Sequence, residues 1–164
     1  MQKIIDKTYY AAIYLRLSKE DGDTSSGEKK ESNSIANQRK LIEDYLKRHP
    51  EINLVQEICD DGYTGANFDR PDFQRMMEQV KNRKINCIIV KDLSRFGRDY
   101  IDSGKYIEKI FPTLGIRFIA INDNYDSAQS HQAGNEIILP FKNLINDSYS
   151  RDISIKIRSN LDIK

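Results

Sequence analysis

Four short apolar runs, Tyr9 to Leu17, Asn53 to Cys59, Asn86 to Asp92 and Ile116 to Ile121, are separated by stretches whose apolar residues recur at helical spacing. That alternation is the strongest constraint on the fold. Strands that alternate with helices build an α/β domain of three layers, a mostly parallel central sheet flanked by helices. The first helix is expected to begin near Ser34, to carry Ile35, Leu41, Ile42, Tyr45 and Leu46, and to stop before Pro50. The second opens on Pro71, where a missing N–H costs nothing, and buries Phe73, Met76, Met77 and Val80. The third runs from about Tyr100 through Ile107 and Ile110 to Leu114, with Gly115 as its stop and Pro112 weakening its last turn.

At 164 residues and 38% hydrophobic content the chain can bury a core of its own. Lys and Arg number 26 against 25 for Asp and Glu, so net charge points to neither a nucleic acid nor a membrane. The distribution says more. From Lys81 to Lys109 there are eight basic and four acidic residues, whereas residues 20 to 31 hold five acids and two lysines. Cys59 and Cys87 sit in strand-like runs without metal-ligand spacing, which fits buried free thiols in a reducing cytosol better than zinc or a disulfide. No apolar stretch has the length of a membrane span or signal sequence, so a cytoplasmic protein is expected.

Residues 19 to 33 form a polar, Ser-rich stretch read as a mobile loop after the first strand, and residues 122 to 135 form a second loop after the fourth. From Glu136 to Lys164 the pattern is mixed. Ile137, Phe141, Leu144, Ile145 and Tyr149 have helical spacing, while Ile153, Ile155 and Ile157 alternate as in a strand. With no turn signal after Pro140, the segment is expected to be one long helix that projects from a domain spanning residues 1 to 135.

The chemistry-bearing residues gather at strand ends. In "AAIYLRLS", residues 11 to 18, alternation sends Ile13, Leu15 and Leu17 to one face and Tyr14, Arg16 and Ser18 to the other. Same-face neighbours are roughly 7 Å apart, so Arg16 and Ser18 can reach one anion. Arg95 and Arg98 follow the third strand, and in a parallel sheet all four residues reach the C-terminal edge, where such sheets bind ligands. A serine among arginines suits attack on a phosphodiester, because fixed guanidinium groups stabilise charge that grows on the non-bridging oxygens. His49 and His131 have no evident path to Ser18, so the residue that deprotonates it stays open. A glycine-rich dinucleotide turn and a P-loop are missing, and Asp60, Asp61, Asp92 and Asp99 lack metal-site spacing.

Five ordered blocks, "YLRLS" at 14 to 18, "NSIANQR" at 33 to 39, "DDGYTGANFDRPDF" at 60 to 73, "LSRFGRD" at 93 to 99 and "SRDISIKIRS" at 150 to 159, resemble the serine site-specific recombinases. The last block and Ser94 are most similar to the large serine recombinases of phages and conjugative elements. The resemblance implies a resolvase-like catalytic domain in which Ser18 joins the 5′-phosphate at each cut, with Arg16, Arg95 and Arg98 activating the scissile phosphate. It implies supporting roles for Gln38, Arg70, Thr64, Ser94 and Asp99. The C-terminal helix would dimerise and cross DNA, with Arg151, Lys156 and Arg158 facing phosphates.

It further implies specific duplex DNA sites, a homodimer that becomes a tetramer at synapsis, an accessory protein that sets direction, and no cofactor or metal. Small resolvases and invertases typically carry Asp at the position of Ser94 and a shorter loop than residues 19 to 33, so neither feature transfers. The regions that choose DNA are expected outside this chain. Two other readings stand beside this one: a non-catalytic, DNA-associated regulatory dimer, and a nuclease that hydrolyses its covalent intermediate.

Overall fold

The structure is a computed structural model and describes residues 7–17, 33–60, 70–97 and 100–129. Strand β1 (Tyr9–Arg16) leads to helix α1 (Asn33–Lys47), β2 (Ile52–Asp60), α2 (Pro71–Lys81) and β3 (Cys87–Val90). A single helical turn, α3 (Leu93–Phe96), follows directly. Helix α4 (Tyr100–Lys105) then continues through a π-helical stretch, Tyr106–Ile110, into α5 (Phe111–Leu114), and β4 (Arg117–Ala120) and β5 (Tyr125–Asp126) complete the described chain.

The sheet order is β2-β1-β3-β4-β5, with every pair parallel except β4 with β5. Alternation along the strands divides the core into two layers. Ala11, Ile13, Leu15, Cys87, Ile89 and Ile119 pack with Ile35 and Ile42 of α1 on one face. Ala12, Tyr14, Ile88, Val90, Phe118 and Ala120 pack with α2, α3 and the α4–α5 segment on the other. A sheet covered on both faces favours apolar residues at every strand position; β3 and β4 are buried throughout, and their one charged residue, Arg117, pairs with Asp126 at 2.7 Å. Because β1 lies between β2 and β3, the chain changes direction across it. The C-terminal ends of β1 and β3 therefore flank a crevice of the kind in which open α/β sheets hold ligands.

Helix α2 begins at Pro71 and buries Phe73, Met76, Met77 and Val80, as the spacing predicts. The third helix ends at Gly115, whose φ of 70° suits a residue without a Cβ and whose N–H bonds back into the last turn. Its middle is wider than expected. The Phe111 N–H reaches back to the Tyr106 carbonyl, so the helix loosens just before Pro112, whose ring cannot follow a tight turn or donate. Thr113 Oγ1 donates to the Lys109 carbonyl at 2.7 Å.

Four expectations need correction. The run from Asn86 to Asp92 shortens to a four-residue strand because Asp92 caps α3. The stretch from residue 122 is not wholly loop, since it contains β5 antiparallel to β4. Helix α3 was not expected at all; four residues are too few to show a period. Neither Cys59 nor Cys87 is in a disulfide, but only Cys87 is buried. Among the described residues no helix is long and apolar enough to cross a membrane. The loop at 19 to 33, apart from Asn33, and the helix expected at 136 to 164 lie outside the described residues.

Candidate active site

Helix α3 has one turn, so almost all its peptide groups need partners from elsewhere. At its N-terminus the Asp92 carboxylate accepts from the Arg95 N–H at 3.0 Å and from Ser94 Oγ at 2.6 Å. Asp123, from the β4–β5 turn, accepts from the Leu93 N–H at 2.7 Å. At the other end two arginines donate to three consecutive carbonyls. Arg16 reaches Ser94 O at 2.6 Å and Arg95 O at 3.2 Å, and Arg70 reaches Phe96 O with both terminal nitrogens at 3.2 Å. The apolar anchor is Phe96, whose ring centroid lies 5.0 Å from Phe118, 5.7 Å from Phe111 and 5.9 Å from Phe73.

Arg16 ends β1 and is 1% exposed. Its own peptide is held in turn. The β1–β3 ladder stops at Ile13 and Ile89, so the Arg16 backbone takes its partners from side chains. Gln38 of α1 donates Nε2 to Arg16 O at 3.1 Å and accepts the Arg16 N–H at 3.4 Å, while Arg95 Nη1 donates to the same carbonyl at 3.2 Å. Arg16 and Arg95 thus each donate to the other's backbone carbonyl, which locks the end of β1 to α3.

A second network lies beneath. Arg70, in extended backbone immediately before α2, donates to the Tyr14 hydroxyl, and that hydroxyl donates to Asp60 Oδ2. The Arg70 guanidinium also sits 5.6 Å from the Tyr14 ring centroid and 5.9 Å from that of Phe73. Burial pushes the Tyr14 hydroxyl far above its ordinary range, so it stays a proton donor. Burial is also the largest influence on Asp60 and lifts its carboxyl above the usual carboxylate range; the Tyr14 hydrogen bond and Arg70 oppose the lift, and the nearby Asp72 charge adds to it.

Of the residues singled out in the sequence, Arg16, Gln38, Arg70, Ser94 and Arg95 come together at the C-terminal edge of β1 and β3. Ser94 contributes its carbonyl to Arg16 and its hydroxyl to Asp92. Ser18, Thr64, Arg98, Asp99, Arg151, Lys156 and Arg158 lie outside the described residues. His49 stacks on Tyr45 and pairs with Glu51 just before β2, at the far end of the sheet. The sequence pattern places Tyr14 on the Arg16 face without a role and Asp60 among aspartates that lack metal-site spacing; both belong to the buried network. The alternation that aligned Tyr14 with Arg16 was the available signal. Nothing in the pattern pointed to Asp123. Among the described residues no group of three or more His, Cys, Asp or Glu side chains is placed to hold a metal ion.

Comparison with known proteins adds an independent line. The family described as Resolvase, N terminal domain matches residues 11–164. No curated protein matches. Among solved structures, the N-terminal catalytic domain of TP901-1 integrase is 24% identical, with 88% of this chain and 98% of that chain covered and a TM-score of 0.64. A resolvase family site-specific recombinase from Streptococcus pneumoniae is 22% identical, with 93% of each chain covered and a TM-score of 0.59. The C-terminal catalytic domain of ISC1926 TnpA, an IS607-like serine recombinase, is 22% identical over 68% of each chain with a TM-score of 0.52. At these identities the likeness is one of fold.

Proposed function

The chain belongs to the resolvase N-terminal domain family, and from that premise we propose that it is the catalytic domain of a large serine recombinase that moves a mobile DNA element. The observation that carries this reading is the mutual lock between Arg16 and Arg95 at the β1/β3 crevice, two residues along the chain from Ser18.

In this reading Ser18 Oγ attacks the phosphorus of the scissile phosphodiester. A phosphoserine bond forms, the bond to the 3′-oxygen breaks, and that oxygen leaves as a 3′-hydroxyl. Arg16, Arg95 and Arg98 offer fixed donors to the non-bridging oxygens, whose charge grows as the reaction proceeds. Arg16 has a second task, because it also anchors the turn that carries Arg95. Gln38 holds the last peptide of β1 and so the direction in which the chain leaves toward Ser18. Arg70 supports α3 at its C-terminal end, and Ser94, Asp99 and Thr64 take supporting roles in this reading.

The exchange of one phosphoester for another conserves bond energy, so religation is the reverse attack by a 3′-hydroxyl from the partner duplex and requires no cofactor. Residues 1 to 135 form the catalytic part, and residues 136 to 164 the helix that dimerises and crosses DNA, with Arg151, Lys156 and Arg158 on phosphates. A dimer at each specific site and a tetramer at synapsis complete the scheme, with an accessory protein setting direction.

The test joins the chain to a DNA-binding module of known specificity and offers a duplex with two matched half-sites and a nick that traps cleavage. A covalent adduct at Ser18, lost in Ser18→Ala, is the expected result. Free ends that accumulate without recombinants would indicate a nuclease. No adduct, even with a hyperactive fusion, would indicate a regulatory dimer.

A further inference from the structure

Helix α3 is bounded by a segment that no sequence motif marks. The β4–β5 turn runs beside the link from β3 to α3 and is joined to it residue by residue. The Ile121 N–H donates to Val90 O at 3.2 Å, the Asn122 N–H donates to Lys91 O at 2.8 Å, and Asp123 then accepts the Leu93 N–H at 2.7 Å. Asn124, at a φ of 51°, takes the left-handed conformation that Asn tolerates better than most residues. Its N–H returns to Ile121 O at 3.1 Å, which closes the turn. The Asp123 carboxylate is thereby presented to the first peptide of α3 from 30 residues away.

We propose that Asp123 is a positioning residue for the recombinase reaction. It acts through the Leu93 N–H to set the N-terminal end of α3, and through α3 the location of Arg95. This inference rests on the recombinase reading for its functional half and on the geometry alone for its structural half. The two ends of α3 are held differently. Arg16 and Arg70 grip the C-terminal carbonyls, and Asp92 binds the helix of which it is itself the cap, so it fixes the local conformation and not the place of the turn on the sheet. Asp123 ties the N-terminal peptide to the neighbouring strand pair. Without it α3 can pivot about its arginine-held end, and a displacement of about 1 Å at a reacting group is enough to slow a step by roughly 100-fold.

The experiment compares the unmodified chain, Asp123→Ala and Asp123→Asn in two measurements. Amide hydrogen exchange on the chain itself should show faster exchange at Leu93 to Phe96 in Asp123→Ala, with β1 and β3 amides still protected. Asp123→Asn keeps an acceptor oxygen and should restore the slow exchange. On the nicked duplex, Asp123→Ala should form adduct about tenfold or more slowly at saturating DNA. The DNA concentration for half-maximal rate should be unchanged, and Asp123→Asn should recover most of the rate. If Asp123→Ala does not fold, Asp123→Ser, whose oxygen is one bond short, takes its place. Unchanged exchange at Leu93 would overturn the proposal, and so would faster exchange with an unaltered adduct rate. An unmodified chain that forms no adduct counts against the recombinase reading instead, and exchange at Leu93 then still decides whether Asp123 holds the turn.

Discussion

The guanidinium of Arg16 donates to the carbonyl of Ser94 across 78 positions of sequence, at 2.6 Å and almost fully buried. A planar fork that meets the carbonyls of Ser94, Arg95 and Leu17 cannot be imitated by a single ammonium. Arg16→Lys should therefore lose about 1–3 kcal/mol of stability in urea titration, as buried carbonyls lose their donors. If the recombinase reading holds, adduct formation should fall by about 100-fold or more, since the variant removes the anchor of α3.

Phe96 joins the arginine-bearing turn to the aromatic core. Truncation to Ala removes its edge contacts with Phe73, Tyr106 and Phe118 together. The expected cost is about 3–5 kcal/mol in chemical denaturation. Phe96→Leu should cost less and should keep α3 in place, as judged by amide exchange at Arg95.

Asp60 gives a pH signature with a definite sign. Its folded pKa stands above the ordinary 3.8, so its ionised form opposes folding. That opposition is absent below the unfolded value and grows as pH rises through the interval up to the folded value. The stability of Asp60→Asn relative to the unmodified chain should therefore improve with pH across that interval and then level off. Denaturation midpoints measured from about pH 3 to 7 would reveal it, and a difference that shrinks with rising pH would contradict the assignment.

The two thiols should report the sheet. Burial pushes Cys87 up to about 12, whereas Cys59 is only partly buried on the edge strand β2. A thiol reagent at neutral pH should label Cys59 readily. Cys87 should react only at the rate of global or large-scale opening, so its protection factor measures stability without denaturant.

Much of the architecture could be read from local pattern because its causes are local. Pro71 and the Phe73, Met76, Met77 and Val80 stripe mark α2 unambiguously, and alternation through Tyr14 and Arg16 assigns both faces of β1. The parallel order of the strands likewise brings Arg16 and Arg95 to one edge. What escaped has causes distant in sequence. A helix as short as α3 exists because Asp123, Arg16 and Arg70 satisfy its peptide groups, and none of these is a neighbour of Leu93 in the chain. Similarly, β5 is two residues long and owes its strand character to β4 alone. Alternation sets Tyr14 on the face of Arg16, but the partners of its hydroxyl, Arg70 and Asp60, lie 56 and 46 positions away.

The side chains that hold α3 come from β1, from the residue before α2, and from the β4–β5 turn, on segments separated by as many as 107 positions, from Arg16 to Asp123. No early fragment of the chain contains all of them. Helices α1 and α2 with β1 to β3 supply only part of what holds the arginine turn; the rest comes from the turn between β4 and β5. The arginine turn is therefore a property of the assembled sheet from β1 to β5 and of no single segment of the chain.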